Sequence, residues 1–93
     1  MRYTVKQTSH FKKDARLMKE RGLEMEKLKT IVGMLAEGFC LPERCHDHAL
    51  KGNLKEHREC HIESDWLLVY RIYNAELILE LTRTGSHSDL FKK

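Results

Sequence analysis

The chain has 93 residues, of which 41% are hydrophobic and 33% are charged, and its formal net charge is +3. A chain of this length forms one domain, residues 1–93, and it has no apolar run near the roughly 20 residues of a membrane helix. The amino-terminal residues lack the apolar core of a signal peptide, so we expect a cytoplasmic protein with no membrane partner. The mildly basic charge favours a polyanionic partner without proving one.

The three cysteines, Cys40, Cys45 and Cys60, are an odd number, which argues against a disulfide framework. Cys45 and Cys60 are each followed by a histidine, and these residue types suit a zinc site. Their spacing, however, lacks the two close ligand pairs that structural zinc sites usually show. Free thiols and no bound metal are therefore the prediction, with zinc as the alternative.

The first half of the chain predicts a strand followed by two helices. Residues 2–7 alternate between apolar and polar positions, as a strand does. Thr8 or Ser9 can then cap a helix that ends near Gly22. A second helix is predicted over residues 24–37, because its apolar side chains recur at helical spacing. Basic residues surround the apolar stripe of the first helix, so this face is either simply solvated or a contact for RNA phosphates.

A long connection over residues 39–53 follows the second helix, and long connections in compact domains are often functional. It contains His46 and His48, separated by one residue. Such a pair can chelate a metal, act on a substrate or lie on the surface without a role.

Three strands are predicted after the connection, joined by hairpin turns at Ser64–Asp65 and at residues 74–76. In the last strand, alternation places Leu81 on the same face as Arg83. The predicted order is therefore β-α-α-β-β-β, an α+β fold.

The residue types in this second half suit the cleavage of RNA. That reaction needs a base for the ribose 2′-hydroxyl, a cation for the phosphorane and an acid for the departing 5′-oxygen. Histidine suits the first and last roles near neutral pH, and arginine suits the second. Aromatic rings add flat faces on which an unstacked base can rest. The candidates are His48, His61 and His87 as acid or base, Asp65 as a partner base, Arg83 as the cation, and Trp66 and Phe91 as stacking faces.

Most of these residues also have a structural explanation. His61 can be a hydrogen-bonded strand residue, and Asp65 is a common hairpin-turn residue. Trp66 begins an apolar strand and can belong to the core, while a charged Arg83 at the end of a strand is unsurprising. His87 is the exception, because it follows a Gly-Ser turn in a polar segment with no apolar surface to pack on.

Three segments together resemble the YafQ-type toxins of the RelE/ParE superfamily, which belong to bacterial type II toxin–antitoxin systems. They are residues 47–52 (DHALKG), 58–70 (RECHIESDWLLVY) and 81–91 (LTRTGSHSDLF). The resemblance spans essentially the whole chain and implies a RelE-like fold, with two helices packed on one face of a twisted antiparallel sheet. Ser64 departs from the family, in which proline is common at this position, and the difference bears on the rigidity of the turn.

The resemblance implies an endoribonuclease that cleaves messenger RNA in the ribosomal A site without a metal or other cofactor. It also implies a cognate antitoxin, through which the complex often binds and represses the DNA of the shared operon. By family position, His87 is expected as the general acid and Arg83 as the stabiliser of the phosphorane, while the base is either Asp65 or His48. The other expected site residues are His61, with Trp66, Phe91, Arg58 and Lys51 as substrate contacts.

Two other functions fit the same fold. A gyrase-directed toxin of the ParE branch would not need the set of histidines and aspartate described above. A non-catalytic RNA-binding module would keep its affinity for RNA when His87 is replaced and would cleave in no variant. Fold alone does not separate these possibilities, because function is carried by the site.

Overall fold

The structure of the protein, a computed structural model, describes residues 1–91. The strands are β1 (Thr4–Gln7), β2 (His48–Ala49), β3 (Arg58–Glu63), β4 (Trp66–Tyr73) and β5 (Ile78–Gly85), and the helices are α1 (Ser9–Glu20), α2 (Met25–Ala36) and α3 (His87–Leu90). Short 3-10 turns at Glu43–Cys45 and Gly52–Leu54 flank β2. The predicted α+β class and element order are confirmed, with β2 and α3 as additions. Among the residues described, no helix is long and apolar enough to cross a membrane.

The five strands form one sheet in the order β1-β5-β4-β3-β2. The pairs from β2 to β5 are antiparallel, whereas β1 pairs with β5 in parallel. The sheet is therefore mixed rather than wholly antiparallel as expected. The reason is that the chain enters β3 in the same direction as β1, and two hairpin turns then bring β5 to that direction again.

Both long helices pack on one face of this sheet. α1 buries Phe11 and Met18, and α2 buries Leu28, Ile31 and Leu35, at the three- and four-residue spacing of a helix face. The strands complete this core with alternate side chains: Cys60, Trp66, Leu68, Tyr70, Leu79 and Leu81. The two long helices thereby cover one face of the sheet, and within residues 1–91 the opposite face, the open face, has no long helix packed on it.

The predicted helix boundaries are close to those observed, because the signals that set them are local. Thr8 caps α1, and its hydroxyl accepts a hydrogen bond from the backbone N–H of Phe11 at 2.9 Å. Gly22 follows the end of α1 with a φ of 87°, a conformation that favours glycine. α2 is one residue shorter at each end than the predicted range.

A bulge in β5 changes the face on which its last residues lie. Tyr70 pairs with Leu81, but its neighbour Val69 pairs with Arg83, so Thr82 is an extra residue on this strand. Because Tyr70 and Leu81 lie in the core under the helices, Arg83 lies on the opposite face. The prediction that Arg83 shares a face with Leu81 is therefore wrong, since the bulge interrupts the alternation.

The segment after β5, expected as a short tail, forms α3 with a capping box. The carboxylate of Asp89 accepts from the backbone N–H of Ser86 at 2.8 Å, and the Ser86 hydroxyl accepts from the N–H of Asp89 at 3.2 Å. Asp89 also accepts two hydrogen bonds from Arg21, at 2.7 and 3.0 Å. The hydrogen bonds from Arg21 and Ser86 lower the pKa of Asp89 far below its ordinary value. Asp89 thus ties α3 to the end of α1.

We expect Asp89→Asn to destabilise the protein more at pH 6 than at pH 3. A carboxylate with a lowered pKa stabilises the fold above its ordinary pKa of 3.8, and this contribution is lost progressively as the pH falls below that value. The free energy of unfolding in urea at the two pH values measures the difference. Glu20→Gln, at an exposed carboxylate beside Arg21 in the sequence, is the control. An equal deficit for Asp89→Asn at both pH values would contradict the role of the ionised Asp89.

Candidate active site

The face of the sheet opposite the helices collects the titratable side chains. Glu59 and His61 alternate along β3 and share this face, and His48 of β2 pairs with Glu59. His61 lies opposite Leu67 of β4, which in turn pairs with Gly85 at the end of β5. The chain then enters α3 at His87, and the turn between β3 and β4 presents Asp65 beside it. Sheet register and one turn therefore bring together side chains from distant parts of the sequence.

Asp65 and His87 form a close polar pair in this site. One carboxylate oxygen of Asp65 accepts from the backbone N–H of His87 at 2.9 Å and lies 2.6 Å from its ring Nδ1. The backbone hydrogen bond, followed by the ring hydrogen bond, lowers the pKa of Asp65. An ionised carboxylate only accepts hydrogen bonds, so Nδ1 carries the proton and Nε2 is the nitrogen available to a substrate. Asp65 thus fixes both the position and the tautomer of His87.

The same arrangement recurs at the two other predicted histidines. Nδ1 of His61 lies 3.2 Å from the carbonyl oxygen of Ser64, and Nδ1 of His48 lies 2.7 Å from that of His46. A carbonyl oxygen can only accept, so each Nδ1 donates and each Nε2 is left for other contacts. Nε2 of His48 lies 3.5 Å from the Glu59 carboxylate. His61 and His87 pack with their ring centroids 5.7 Å apart.

Glu59 is a member of the site that the sequence reasoning missed. Its side chain is buried on the open face of the sheet, with 5% of the residue exposed. A carboxylate oxygen of Glu59 and one ring nitrogen each of His61 and His87 lie within 4.8 Å of one another. Two histidines and a carboxylate are a chemically suitable set of ligands for a metal ion. The sequence does contain a signal for Glu59: it lies two residues before His61, and this spacing places both side chains on one face of a strand.

Arg83 starts from the open face of the sheet, and its guanidinium is held at the edge of β5, beyond the end of the pairing with β1, by a second residue that the sequence reasoning missed. Its Nε and Nη2 donate to the two carboxylate oxygens of Asp14 in α1, at 2.6 and 3.2 Å. Asp14 also accepts from the backbone N–H of Thr84 at 3.2 Å and is only 8% exposed. The guanidinium has five donors, so this pairing leaves others free for a ligand.

The predicted stacking on Trp66 is wrong because its side chain is buried, whereas the substrate contact of Arg58 stays a prediction, since its side chain is 43% exposed although it pairs with Asp47. Trp66 is 2% exposed, packs in the core under the helices, and donates from Nε1 to the hydroxyl of Thr84 at 2.9 Å. A buried indole offers no open face to a base. Arg58 pairs in register with Tyr70, on the helix side of the sheet, and its Nε donates to Asp47 at 3.2 Å. Its position follows from the alternation of side chains along β3, which puts Arg58 on the other face of the sheet from Glu59 and His61.

The two remaining predicted substrate contacts, Lys51 and Phe91, lie at different distances from His87. Lys51 lies beyond β2, and β2 runs antiparallel to β3, so the chain at Lys51 has moved away from the turn that carries Asp65. Lys51 therefore lies away from the turn beside His87, and its contact with the substrate stays a prediction. Phe91 directly follows α3, is 37% exposed, and donates its backbone N–H to the carbonyl of His87 at 2.8 Å. Stacking by Phe91 remains a prediction that fits this position.

A partly buried clamp holds the loop that carries His48. The hydroxyl of Tyr70, a core residue, donates to the Asp47 carboxylate at 2.7 Å, and Arg58 donates to the same oxygen. Burial, followed by the hydrogen bond to Asp47, raises the pKa of Tyr70, so its hydroxyl stays protonated and donates. Asp47 immediately precedes His48, and the clamp therefore fixes the backbone that presents this histidine.

We expect Tyr70→Phe to lower the free energy of unfolding by about 1–3 kcal/mol, because Asp47 loses a hydrogen bond to a charged acceptor. Urea unfolding at neutral pH measures the loss. Tyr73→Phe on the same strand is the matched control, since Tyr73 is partly exposed and contacts the Arg71 guanidinium through its ring, 4.3 Å from the ring centroid. Equal losses in the two variants would contradict the clamp.

Comparisons with known proteins agree with this fold and identify the family of the chain. Residues 3–92 match the profile of a family described as a bacterial toxin of type II toxin–antitoxin system, YafQ. The mRNA interferase toxin YafQ of Escherichia coli K12 is 34% identical over 88 residues, or 94% of each chain. The E. coli DinJ–YafQ complex matches with a TM-score of 0.87 and 33% identity, over 96% of this chain and 98% of that one. A metal-bound toxin from Helicobacter pylori matches with a TM-score of 0.90 and 43% identity, over 96% and 99%. The chain therefore belongs to the YafQ family of toxins from bacterial type II toxin–antitoxin systems.

Proposed function

We propose that this chain is the toxin of a type II toxin–antitoxin pair and an endoribonuclease that cleaves messenger RNA. Its E. coli relative, aligned over 94% of this chain, is named an mRNA interferase. The observation that carries the proposal is the His87 ring, fixed by Asp65 and packed against His61, with the Nε2 atoms of both rings available. Two such imidazoles can supply the base and the acid that cleavage of a phosphodiester by its own 2′-hydroxyl requires.

In the proposed reaction His61 takes the proton from the ribose 2′-hydroxyl, and the resulting oxygen attacks the adjacent phosphorus. The bond from phosphorus to the 5′-oxygen then breaks, and His87 donates a proton to that oxygen. The products are a 2′,3′-cyclic phosphate and a free 5′-hydroxyl. The Asp65 carboxylate orients His87 through Nδ1, so the proton that reaches the 5′-oxygen comes from Nε2.

Geometry favours His61 as the base over the two earlier candidates, Asp65 and His48. The Asp65 carboxylate already accepts two hydrogen bonds from His87, and its lowered pKa makes it a weak proton acceptor. The free nitrogen of His48 is directed to Glu59, 3.5 Å away. A ring nitrogen of His61, by contrast, lies within 4.8 Å of one of His87.

Arg83 supplies the positive charge for the phosphorane. It lies on the same face of the sheet as Glu59 and His61, and Asp14 holds its guanidinium by two hydrogen bonds. A fixed guanidinium stabilises developing phosphoryl charge without having to reorganise during the reaction.

The nucleophile in this mechanism belongs to the RNA, so no step needs a metal. A relative from H. pylori is described as metal-bound, and Glu59, His61 and His87 can offer ligands here. A metal ion bound through a ring nitrogen of each histidine would compete with acid–base catalysis by the same two rings. We therefore expect a chelator to leave cleavage intact and an added transition metal to inhibit it.

We further propose that cleavage takes place in the A site of the bacterial ribosome, which places the activity in the cytoplasm. The exposed surface of α1 carries a row of cationic side chains, and the chain is positively charged overall. Such a surface gains affinity for the phosphates of ribosomal RNA by releasing counterions. The cationic residues are Lys12, Lys13, Arg16 and Lys19.

A cognate antitoxin is the proposed protein partner, as DinJ is in the solved complex with YafQ. The surface offers it the cationic face of α1 and, next to it, an apolar groove of about 360 Å³ between α1 and α2. Phe11, Leu28 and Val32 are among the residues that line this groove. An antitoxin segment with acidic and apolar residues would fit this surface or cover the active site, and it would link the toxin to the operon DNA.

The test is cleavage of a defined messenger with and without programmed bacterial ribosomes, with the ends mapped by primer extension. We expect cuts within the A-site codon that depend on the ribosome and persist in a chelator. A folded protein that leaves the messenger intact in both conditions would contradict the proposal, and gyrase inhibition and simple RNA binding would then be measured.

A further inference from the structure

A cleft adjoins the catalytic pair and shares His61 with it. The cleft has a volume of about 450 Å³ and lies between the 3-10 turn Glu43–Cys45 and the end of β3. His46 stands at its side with its ring centroid 5.5 Å from that of His61, in an edge-to-face arrangement. Its lining residues are Arg44, His46, His61, Ile62, Glu63 and Ser64.

His46 is exposed, but its backbone is firmly placed. Its φ of 48° is in the left-handed region, which non-glycine residues adopt rarely and mostly where surrounding contacts require it. Its N–H donates to the carbonyl of Glu43 at 3.0 Å, and its carbonyl accepts from His48 at 2.7 Å. The next residue, Asp47, is held by the Tyr70 hydroxyl. The loop therefore presents the His46 ring to the cleft in a defined position.

The edge of β3 beside the cleft can contact the rim of a base. β2 pairs with β3 only through His48–Glu59 and Ala49–Arg58, so strand pairing on this side stops before the cleft begins. The backbone groups of an unpaired strand edge can donate to and accept from a ligand. Arg44, exposed at the cleft, adds a cation suited to a phosphate. The combination of a flat ring, backbone polar groups and a cation suits an unstacked nucleotide.

We propose that this cleft binds the nucleobase next to the scissile phosphate and that His46 is a specificity-determining residue against which this base stacks. The inference rests on the proposed function, since His61 holds the reacting ribose and phosphate at one end of the cleft. The base attached to that nucleotide or to the following one then lies within reach of His46. The His46 ring thus determines how strongly each base is held.

The experiment compares wild type with His46→Asn and His46→Phe on ribosomes programmed with messengers that differ only in the nucleotides flanking the cut. Asparagine tolerates the left-handed conformation but has no ring, whereas phenylalanine keeps a flat ring. We expect His46→Asn to raise the toxin concentration needed for half-maximal cleavage of the preferred messenger by on the order of tenfold. We also expect this concentration to differ much less from one flanking base to another. His46→Phe is expected to retain most of the preference. Glu43→Ala, on the same turn but outside the cleft lining, is the control.

A second measurement keeps binding separate from cleavage. Messengers with a 2′-deoxynucleotide at the cut position cannot be cleaved by the proposed mechanism. The affinity of each variant for ribosomes that carry them therefore measures binding without cleavage. Wild-type affinity and base preference in a folded His46→Asn protein would overturn the inference and leave the proposed function standing. If the wild type cleaves nothing, the proposed function fails, and base-dependent binding that is lost in His46→Asn would still support the cleft.

Discussion

Replacing His87 by glutamine is expected to slow single-turnover cleavage of a ribosome-bound messenger by about 10²–10⁴-fold. Glutamine keeps a polar side chain near Asp65 but has no proton to give to the leaving 5′-oxygen at neutral pH. His87 is exposed, and the hydrogen bond of its backbone to Asp65 does not depend on the ring. The variant should therefore fold, and rapid quenching with quantified cleavage products gives its rate.

Two further variants show whether the loss belongs to the imidazole. Ser88→Ala changes the neighbouring exposed residue of α3 and should cleave at the wild-type rate. Asp65→Asn removes the charge that fixes the His87 tautomer and should lie between wild type and His87→Gln. A folded His87→Gln protein that cleaves within a few-fold of the wild-type rate would exclude His87 as the general acid.

Local signals account for the parts of the fold that the sequence predicted well. The apolar spacing of α1 and α2, the Thr8 cap and the Gly22 stop are all read within a few neighbouring residues. The bulge at Thr82 has no such signal, because it is a property of how two strands pair. That one extra residue decides that Arg83 leaves the face of Leu81 and joins the face of the site.

The candidate site shows the same division between local pattern and long-range contact. The motif segments identified His61, Asp65 and His87, and the structure brings these three together. The same segments also contain Trp66 and Arg58, whose side chains serve the core and the Asp47 clamp. A motif shows that residues recur together, but it does not show which of them face solvent. Partners such as Asp14, 69 residues from Arg83, become visible only when α1 is packed against β5.

The pairing of Arg83 with Asp14 leads to a prediction that separates catalysis from stability. We expect Arg83→Gln to slow cleavage by about 10²–10³-fold, because the phosphorane loses a positioned cation. The same change leaves the nearly buried Asp14 carboxylate without its counter-charge, with only neutral donors, the N–H of Thr84 and the introduced amide. We expect this to lower the free energy of unfolding by about 1–3 kcal/mol. Cleavage rates and urea unfolding are measured on the same preparations.

The double variant Asp14→Asn/Arg83→Gln distinguishes the two roles. An amide pair can replace the ion pair with neutral hydrogen bonds, so part of the lost stability should return. Cleavage should remain as slow as in Arg83→Gln, because no cation faces the phosphate. Asp14→Asn alone keeps the guanidinium and an acceptor oxygen, so it should lose some stability and much less activity than Arg83→Gln. If cleavage recovers in the double variant together with stability, Arg83 acts only through the fold and the proposed stabilisation of the phosphorane is wrong.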